Sequence, residues 1–283
     1  VDPASVFHRD GILVVRGLLA DVLADLLPRA RAVQAQVRRT LPPGTRFWRG
    51  GTEPPPERIC DATWGINEIT RPDLFDPGLV DVLGHPGVAA VLAALVDRPR
   101  AWGLKLLWNP TWRPYDLTWH RDCLAPAEQA LCAYKPAAND HVQFNAALTA
   151  DRSFLVVPGS HRRALTPEEC AAWGSRADLP GRIRVDLAPG DVLFMDAHAL
   201  HRGSATVDAD RLSLHYSVQA DWVPLAPWGE PDRTAWIRSD AFLACLAPAT
   251  RPCYERLRTA PPAADAMDWL RARGHGKNPP EKT

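Results

Sequence analysis

The sequence predicts a mainly β fold with flanking α-helices, built as an antiparallel double-sheet jelly roll. Three observations lead there. After residue 100, "WGLKLLWN", "HVQFNAALT", "SFLVVPGS", "RIRVDL", "DVLFMD" and "RLSLHYSVQ" are short segments of two-residue alternation or apolar β-branched content, divided by turn residues. Before residue 100 the apolar residues recur at helical spacing instead. Proline, at 28 of 283 residues, is present at about twice the usual share, which favours loops over long uninterrupted helices. The expected organisation is one domain, 1–283, with helices over about 1–99, a jelly-roll core over about 100–220 and a helical extension over about 221–283.

Taken in order, "FHRDGILVVRGLLA" opens with a strand at Ile12 to Arg16 and continues into a helix from about Ala20 to Arg39. Val22, Leu23, Leu26, Leu27, Ala30 and Val33 place its apolar face against a sheet. Residues 42–60, rich in Pro and Gly and carrying Phe47 and Trp48, read as a long loop suited to cover a site. A second helix, from about Gly78 to Asp97, is interrupted near "GHPG". Among the strands, "TPEECAAW" is a short helical insert: Thr166 and Glu169 stand as a capping box, with Pro167 in the first turn. The final "GHGKNPPEKT" is polar and expected to fray.

Lys plus Arg balance Asp plus Glu at 33 each, so no global field draws the chain to nucleic acid or an anionic membrane. No run approaches the roughly 18 apolar residues of a membrane span. The opening residues are not a secretory signal, and the expected location is cytoplasmic. The six cysteines show no CxxC or zinc-ribbon spacing and are expected to be reduced thiols, mostly buried. The expected partner is a small molecule; the sequence carries no signal for an oligomeric state.

In "TWHRDCLAP", His120 and Asp122 are two positions apart. On a strand, residues i and i+2 share a face, so the pair points into one space, which is the geometry of two metal ligands as well as of two polar surface residues. Strand alternation turns Cys123 away from that face, into packing. Further along, "DAHALHRG" supplies His198 and His201 just past a strand end, either of which could complete a metal site. Ten residues after His201, Arg211 heads a strand whose alternate members Arg211, Ser213, His215, Ser217 and Gln219 form one polar face. Arginine there suits a bidentate contact with a carboxylate. Two histidines and one carboxylate leave three coordination positions open, the facial triad of non-haem Fe(II) oxygenases.

"WHRD", "LVVPGSHRR", "PGDVLFMDAHALHRG" and "RLSLHYS", in this order and spacing, resemble the phytanoyl-CoA dioxygenase family of Fe(II)/2-oxoglutarate-dependent oxygenases. The similarity extends to "FHRDGILVVRGLL" and so spans roughly residues 7 to 219. It implies a double-stranded β-helix of cupin-like type, with Fe(II), 2-oxoglutarate as co-substrate and dioxygen. His120, Asp122 and His201 then correspond to the iron ligands, His201 being preferred to His198 because it stands in "HRG". Arg211 corresponds to the residue that binds the distal carboxylate of 2-oxoglutarate, helped by Ser213. Where the family often has a lysine before a proline upstream of HxD, this chain has Asn109-Pro110, so Asn109 is the candidate for that contact through its amide. Gln143 and Asn145, alternate on one strand face, are candidates to reach the co-substrate or substrate. The resemblance makes "VVPGSHRR", with His161, Arg162 and Arg163, a structural turn after a core strand.

The implied activity is oxidation of a C–H bond, by hydroxylation or oxidative cyclisation, of a small natural product. The Ala- and Arg-rich texture resembles high-GC bacterial proteins, in which this family tailors antibiotics and other secondary metabolites. Trp102, Trp108, Trp112 and Trp119, with Phe47 and Trp48, could stack on a sugar-containing substrate or form core. Two other classes fit parts of the pattern: a cupin-like zinc or manganese isomerase or hydrolase, which would not need Arg211 and Ser213, and a non-catalytic sugar-binding jelly roll, which would not need His120.

Overall fold

The computed structural model describes residues 2–47, 54–122, 140–223 and 235–260. Trp48, Cys123, Cys132 and the C-terminal tail beyond 260 lie outside the described residues. Helix α1 (Pro3–Asp10) is capped by the Asp2 carboxylate, which accepts from the amides of Ala4 and Ser5, and ends at Gly11 in the left-handed region. Strand β1 (Ile12–Val15) and helix α2 (Leu23–Thr40) follow, with Leu26, Ala30, Val33 and Val37 buried on one face of α2. The interrupted second helix resolves into α3 (Pro77–Val80), a 3-10 turn and α4 (Pro86–Leu95). Among the described residues no single helix is long and apolar enough to cross a membrane.

The strands form two antiparallel sheets. The larger has the order β1, β9 (Val192–Asp196), β6 (His141–Ala147), β11 (Leu212–Ala220), β4 (Pro99–Trp108), β3 (Thr63–Ile66) and β2 (Thr45–Phe47). The smaller has the order β5 (Tyr115–Asp116), β10 (His201–Ala205), β7 (Asp151–Val156) and β8 (Ile183–Leu187). The six strand segments expected after residue 100 are present, as is the strand expected at Ile12 to Arg16. The loop expectation for 42–60 needs correction, because Thr45–Phe47 pairs with β3 and extends the large sheet. β10 also arose where only a strand end was expected.

Alternation on β11 divides the molecule. Leu214, Tyr216 and Val218 face the helices in a core shared with Phe144, Phe194, Leu104 and Leu106. Phe144 stacks on Tyr216 at 4.3 Å, and the Tyr216 hydroxyl donates to the Leu79 carbonyl, tying α3 to the sheet. The opposite face of β11 looks into the space between the sheets. At one end that space is apolar, filled by Ile12, Val156, Val185, Leu193 and Met195; at the other it opens into a polar cavity.

Short helix α5 (Pro167–Ala172) carries the complete capping box of Thr166 and Glu169. Helices α6 (Asp240–Ala244) and α7 (Arg251–Glu255) complete the described chain and bury Phe242 and Tyr254 against the helical core. Cys60, Cys245 and Cys253 are free thiols, as expected, but of the three Cys253 alone is buried: Cys60 is partly exposed and Cys245 exposed. Cys170 instead takes part in a disulfide, which no cysteine spacing in the sequence foretells.

Candidate active site

His120 and His201 are a cross-strand pair. Each backbone N–H donates to the other's carbonyl at 3.0 Å, so both side chains leave the same face of the ladder and their rings come to 4.4 Å between centroids. Asp122 is fixed two residues on by its own amide, which donates to the Ala197 carbonyl at 2.8 Å. The two-residue spacing does what strand geometry requires, and one potential ligand atom from each of His120, Asp122 and His201 lies within 4.8 Å of the others. His120 Nε2 is 3.5 Å from Asp122 Oδ1, and His201 Nε2 is 3.9 Å from Asp122 Oδ2.

The orientation of the imidazoles suits a metal. Nδ1 of His120 lies 2.7 Å from the Thr118 carbonyl, and Nδ1 of His201 lies 2.9 Å from the Ala199 carbonyl. A carbonyl only accepts, so each Nδ1 carries the proton and each Nε2 presents a lone pair toward Asp122. Burial pushes His201 down to about 4, keeping it neutral at pH 7. Asp122 is held below the usual carboxylate range by His201, Lys105 and His120, against the opposing effect of burial. Gln143 Nε2 donates to Asp122 Oδ2 at 2.9 Å and sets the carboxylate plane.

These ligand candidates line a cavity of about 120 Å³ together with Arg46, Trp64, Lys105, Leu107, Tyr115, Leu117, Asn145, Ser153, Phe154, Gly203, Arg211 and His215. Arg211 is buried and held by two neighbours. Its Nε donates to Asp151 Oδ2 at 2.8 Å and its Nη1 to the Tyr115 hydroxyl at 2.5 Å. Asp151 also accepts from Ser213 Oγ at 2.6 Å and from Ser153, through Oγ at 2.6 Å and the amide at 2.8 Å. The guanidinium is thus braced by Asp151 and Tyr115 and lines the cavity.

Other expected residues fall elsewhere. Ser213 acts on Asp151 and does not line the cavity. Asn109 is also outside the lining: β4 has ended, and its amide donates to the Ala209 carbonyl at 3.1 Å. Gln143 touches Asp122, whereas Asn145 reaches the cavity wall with Oδ1 accepting from His215 Nδ1 at 2.6 Å. His198 turns away to pair with Asp140 at 2.7 Å. Trp108 and Trp119 are fully buried, their indole N–H groups donating to the Thr63 and Ala177 carbonyls, so they are core and not a substrate platform. His161 sits under Gly11 and Arg163 pairs with Glu169, both structural contacts.

The sequence reasoning missed Arg46, Trp64, Lys105, Tyr115 and Asp151. Lys105 had a signal: it is the one charged residue within the apolar stretch "WGLKLLW", and it lies opposite His215 in the β4–β11 ladder. Tyr115 and Asp151 flank loops and carry no pattern of their own.

The family model for phytanoyl-CoA dioxygenase (PhyH) matches residues 7–211, and the chain belongs to that family. It is accordingly an enzyme of the Fe(II)/2-oxoglutarate-dependent oxygenase type, with Fe(II), 2-oxoglutarate and dioxygen as cofactor and co-substrates. Solved structures of similar fold include the non-haem α-ketoglutarate-dependent epimerase SnoN from nogalamycin biosynthesis, at 22% identity and a TM-score of 0.57 over 82% of this chain and 87% of that one. The carbocyclase SnoK from the same biosynthesis matches at 20% identity and a TM-score of 0.56, over 81% and 87% of the two chains. EctD from S. alaskensis, solved with 2-oxoglutarate and 5-hydroxyectoine, matches at 21% identity and a TM-score of 0.58 over 80% and 78%. No curated protein matches the chain.

Proposed function

We propose that His120, Asp122 and His201 hold Fe(II), that Arg211 binds the distal carboxylate of 2-oxoglutarate, and that the enzyme oxidises a C–H bond of a small natural product in antibiotic or other secondary-metabolite tailoring. The observation that carries this reading is the convergence of two Nε2 lone pairs and one carboxylate, each fixed by its own backbone or side-chain partner, at the wall of a cavity that also holds a braced arginine. When bound, the iron supplies activation of dioxygen at the expense of 2-oxoglutarate.

The protein's part is positional. Thr118 and Ala199 carbonyls keep the imidazole tautomers, and Gln143 orients the carboxylate. Asp151 and Tyr115 keep the Arg211 fork in one plane, so that little side-chain freedom is lost when a carboxylate arrives. Leu107, Leu117, Trp64 and Phe154 limit water around the reacting carbon. That similar folds are named an α-ketoglutarate-dependent epimerase and a carbocyclase supports a reading in which the outcome, hydroxylation or ring closure, depends on how the substrate carbon is presented.

Anaerobic titration of the metal-free protein with Fe(II) and 2-oxoglutarate tests the reading. The expected result is a weak visible charge-transfer band in the wild type, lost in His120→Ala and shifted to higher 2-oxoglutarate concentration in Arg211→Met by at least about tenfold. Folded wild-type protein that binds metal yet shows no band would overturn it.

A further inference from the structure

The cavity contains more positive charge than the co-substrate uses. Arg46, Lys105 and Arg211 all line it, and two carboxylates accompany them: Asp122 in the lining and Asp151 behind Arg211. A dication on the histidines and Asp122 and a dianionic 2-oxoglutarate cancel each other, so the loaded cavity keeps one positive charge beyond Asp122 and Asp151; Glu68, outside the lining, acts on Lys105 only through space. That surplus is not at Arg211, which Asp151 and Tyr115 already engage. It lies across the cavity, on the side formed by β2, β3 and β4.

Lys105 makes no hydrogen bond or ion pair among the described residues, although its β4 position, opposite His215, directs it into the space between the sheets. Arg46 is oriented by neutral partners: Nε donates to Asn67 Oδ1 at 2.5 Å, and the guanidinium lies 4.4 Å from the Trp64 ring centroid. Burial lowers the pKa of both groups, outweighing the opposing effect of Asp122 on each and of Glu68 on Lys105. The remaining walls near them, Leu107 and Leu117, are apolar.

We infer that the organic substrate is a carboxylate with an apolar body, and that Lys105 and Arg46 bind its anionic group. The inference rests on the proposed use of Arg211 for 2-oxoglutarate, which leaves these two cations for the second ligand. One ammonium and one guanidinium suit a monoanionic carboxylate: the fork donates to both oxygens and the ammonium adds a point charge. The body of the substrate then rests on Leu107 and Leu117, which holds it beside the metal ligands rather than along the outer surface.

The test compares cyclohexanecarboxylate with its uncharged isostere, cyclohexanecarboxamide, each titrated by ligand-observed NMR into protein loaded with Zn(II) and 2-oxoglutarate. The carboxylate should bind more tightly by about tenfold or more, the ratio one charge-assisted hydrogen bond supplies. Lys105→Met and Arg46→Leu should bring the two probes to similar affinity, while the Fe(II) and 2-oxoglutarate band forms at the wild-type co-substrate concentration. Equal binding of the probes to the wild type, or a preference that survives in both variants, would overturn the inference. Loss of the band in Lys105→Met protein that still binds metal would also overturn it, by assigning Lys105 to the co-substrate. Absence of the band from the wild type would instead remove the 2-oxoglutarate reading, and this inference with it.

Discussion

Asp151 is the residue on which the positioning of Arg211 depends. Four hydrogen bonds converge on its carboxylate, from Arg211, from Ser213 and twice from Ser153, and burial leaves it no water. Arg211 in turn has Asp151 as its ion-pair partner. Asp151→Asn would therefore strand a buried guanidinium, and urea unfolding should show a loss of about 3–5 kcal/mol. The double variant Asp151→Asn/Arg211→Met should lose less than the sum of the two single changes, because it removes the stranded charge along with its partner. Additive losses would mean that the pair is not the coupled unit its geometry describes. Such a residue could not be read from "AALTADRSF", since nothing local distinguishes Asp151 from any other loop aspartate. His120 and Asp122 were legible as a pair because strand alternation is a local rule. Their meeting with His201 is a property of the ladder, and no spacing within the sequence expresses it.

At the scale of elements, the turn between β8 and β9 shows how a short motif holds two distant segments together. In "APGD", Gly190 has φ of +87°, and an added Cβ would stand 3.3 Å from the Ala20 backbone. Asp191 follows with Oδ1 accepting from the Gly17 amide and Oδ2 from Ala188 and Arg16, so the turn anchors the loop between β1 and α2. Gly190→Ala meets both a left-handed backbone and a close neighbour, and should lower stability by about 1–3 kcal/mol. Thermal unfolding alongside Gly181→Ala gives the contrast, because Gly181 also has positive φ but has open space around its Cβ direction. A smaller loss at 190 than at 181 would show that the contact with Ala20 carries no weight. Elements with strong periodicity or caps were legible on these terms: α2 begins within a few residues of expectation, and the capping box marks α5. β2 and β3 were not. They are three and four residues long and become strands only by pairing with each other and with β4, a tertiary cause that outweighs the Pro- and Gly-rich texture around them.

For the whole molecule, stability against pH is governed by ionisable groups folded into places that favour the neutral form. His141 and His161 are pushed down to about 4, chiefly by burial. The unfolded chain takes up protons on both near 6.5, so unfolding binds protons between those values and stability falls as pH drops from about 6.5 to 4. Asp196 works in the opposite direction. Burial raises it from 3.8 to about 6, with the nearby Asp140 adding to the shift. The folded state then takes its proton first, so the destabilisation caused by ionised Asp196 is complete above about 6 and disappears below about 4. With His201, also pushed down to about 4 by burial, three histidines against one aspartate leave a net loss on acidification of the metal-free protein. Asp196→Asn keeps an oxygen for the His198 amide, which Asp196 Oδ1 accepts at 2.9 Å, and removes the charge. The variant should be more stable than wild type at pH 7 by on the order of 3 kcal/mol, the equivalent of about two pH units. That advantage should shrink to nothing by pH 4, while the variant's own stability falls more steeply than the wild type's over the same range. Urea midpoints of the metal-free proteins at pH 7, 5.5 and 4.5 measure both slopes. A variant no more stable than wild type at pH 7 would mean that Asp196 is already neutral there or is solvated in the folded state.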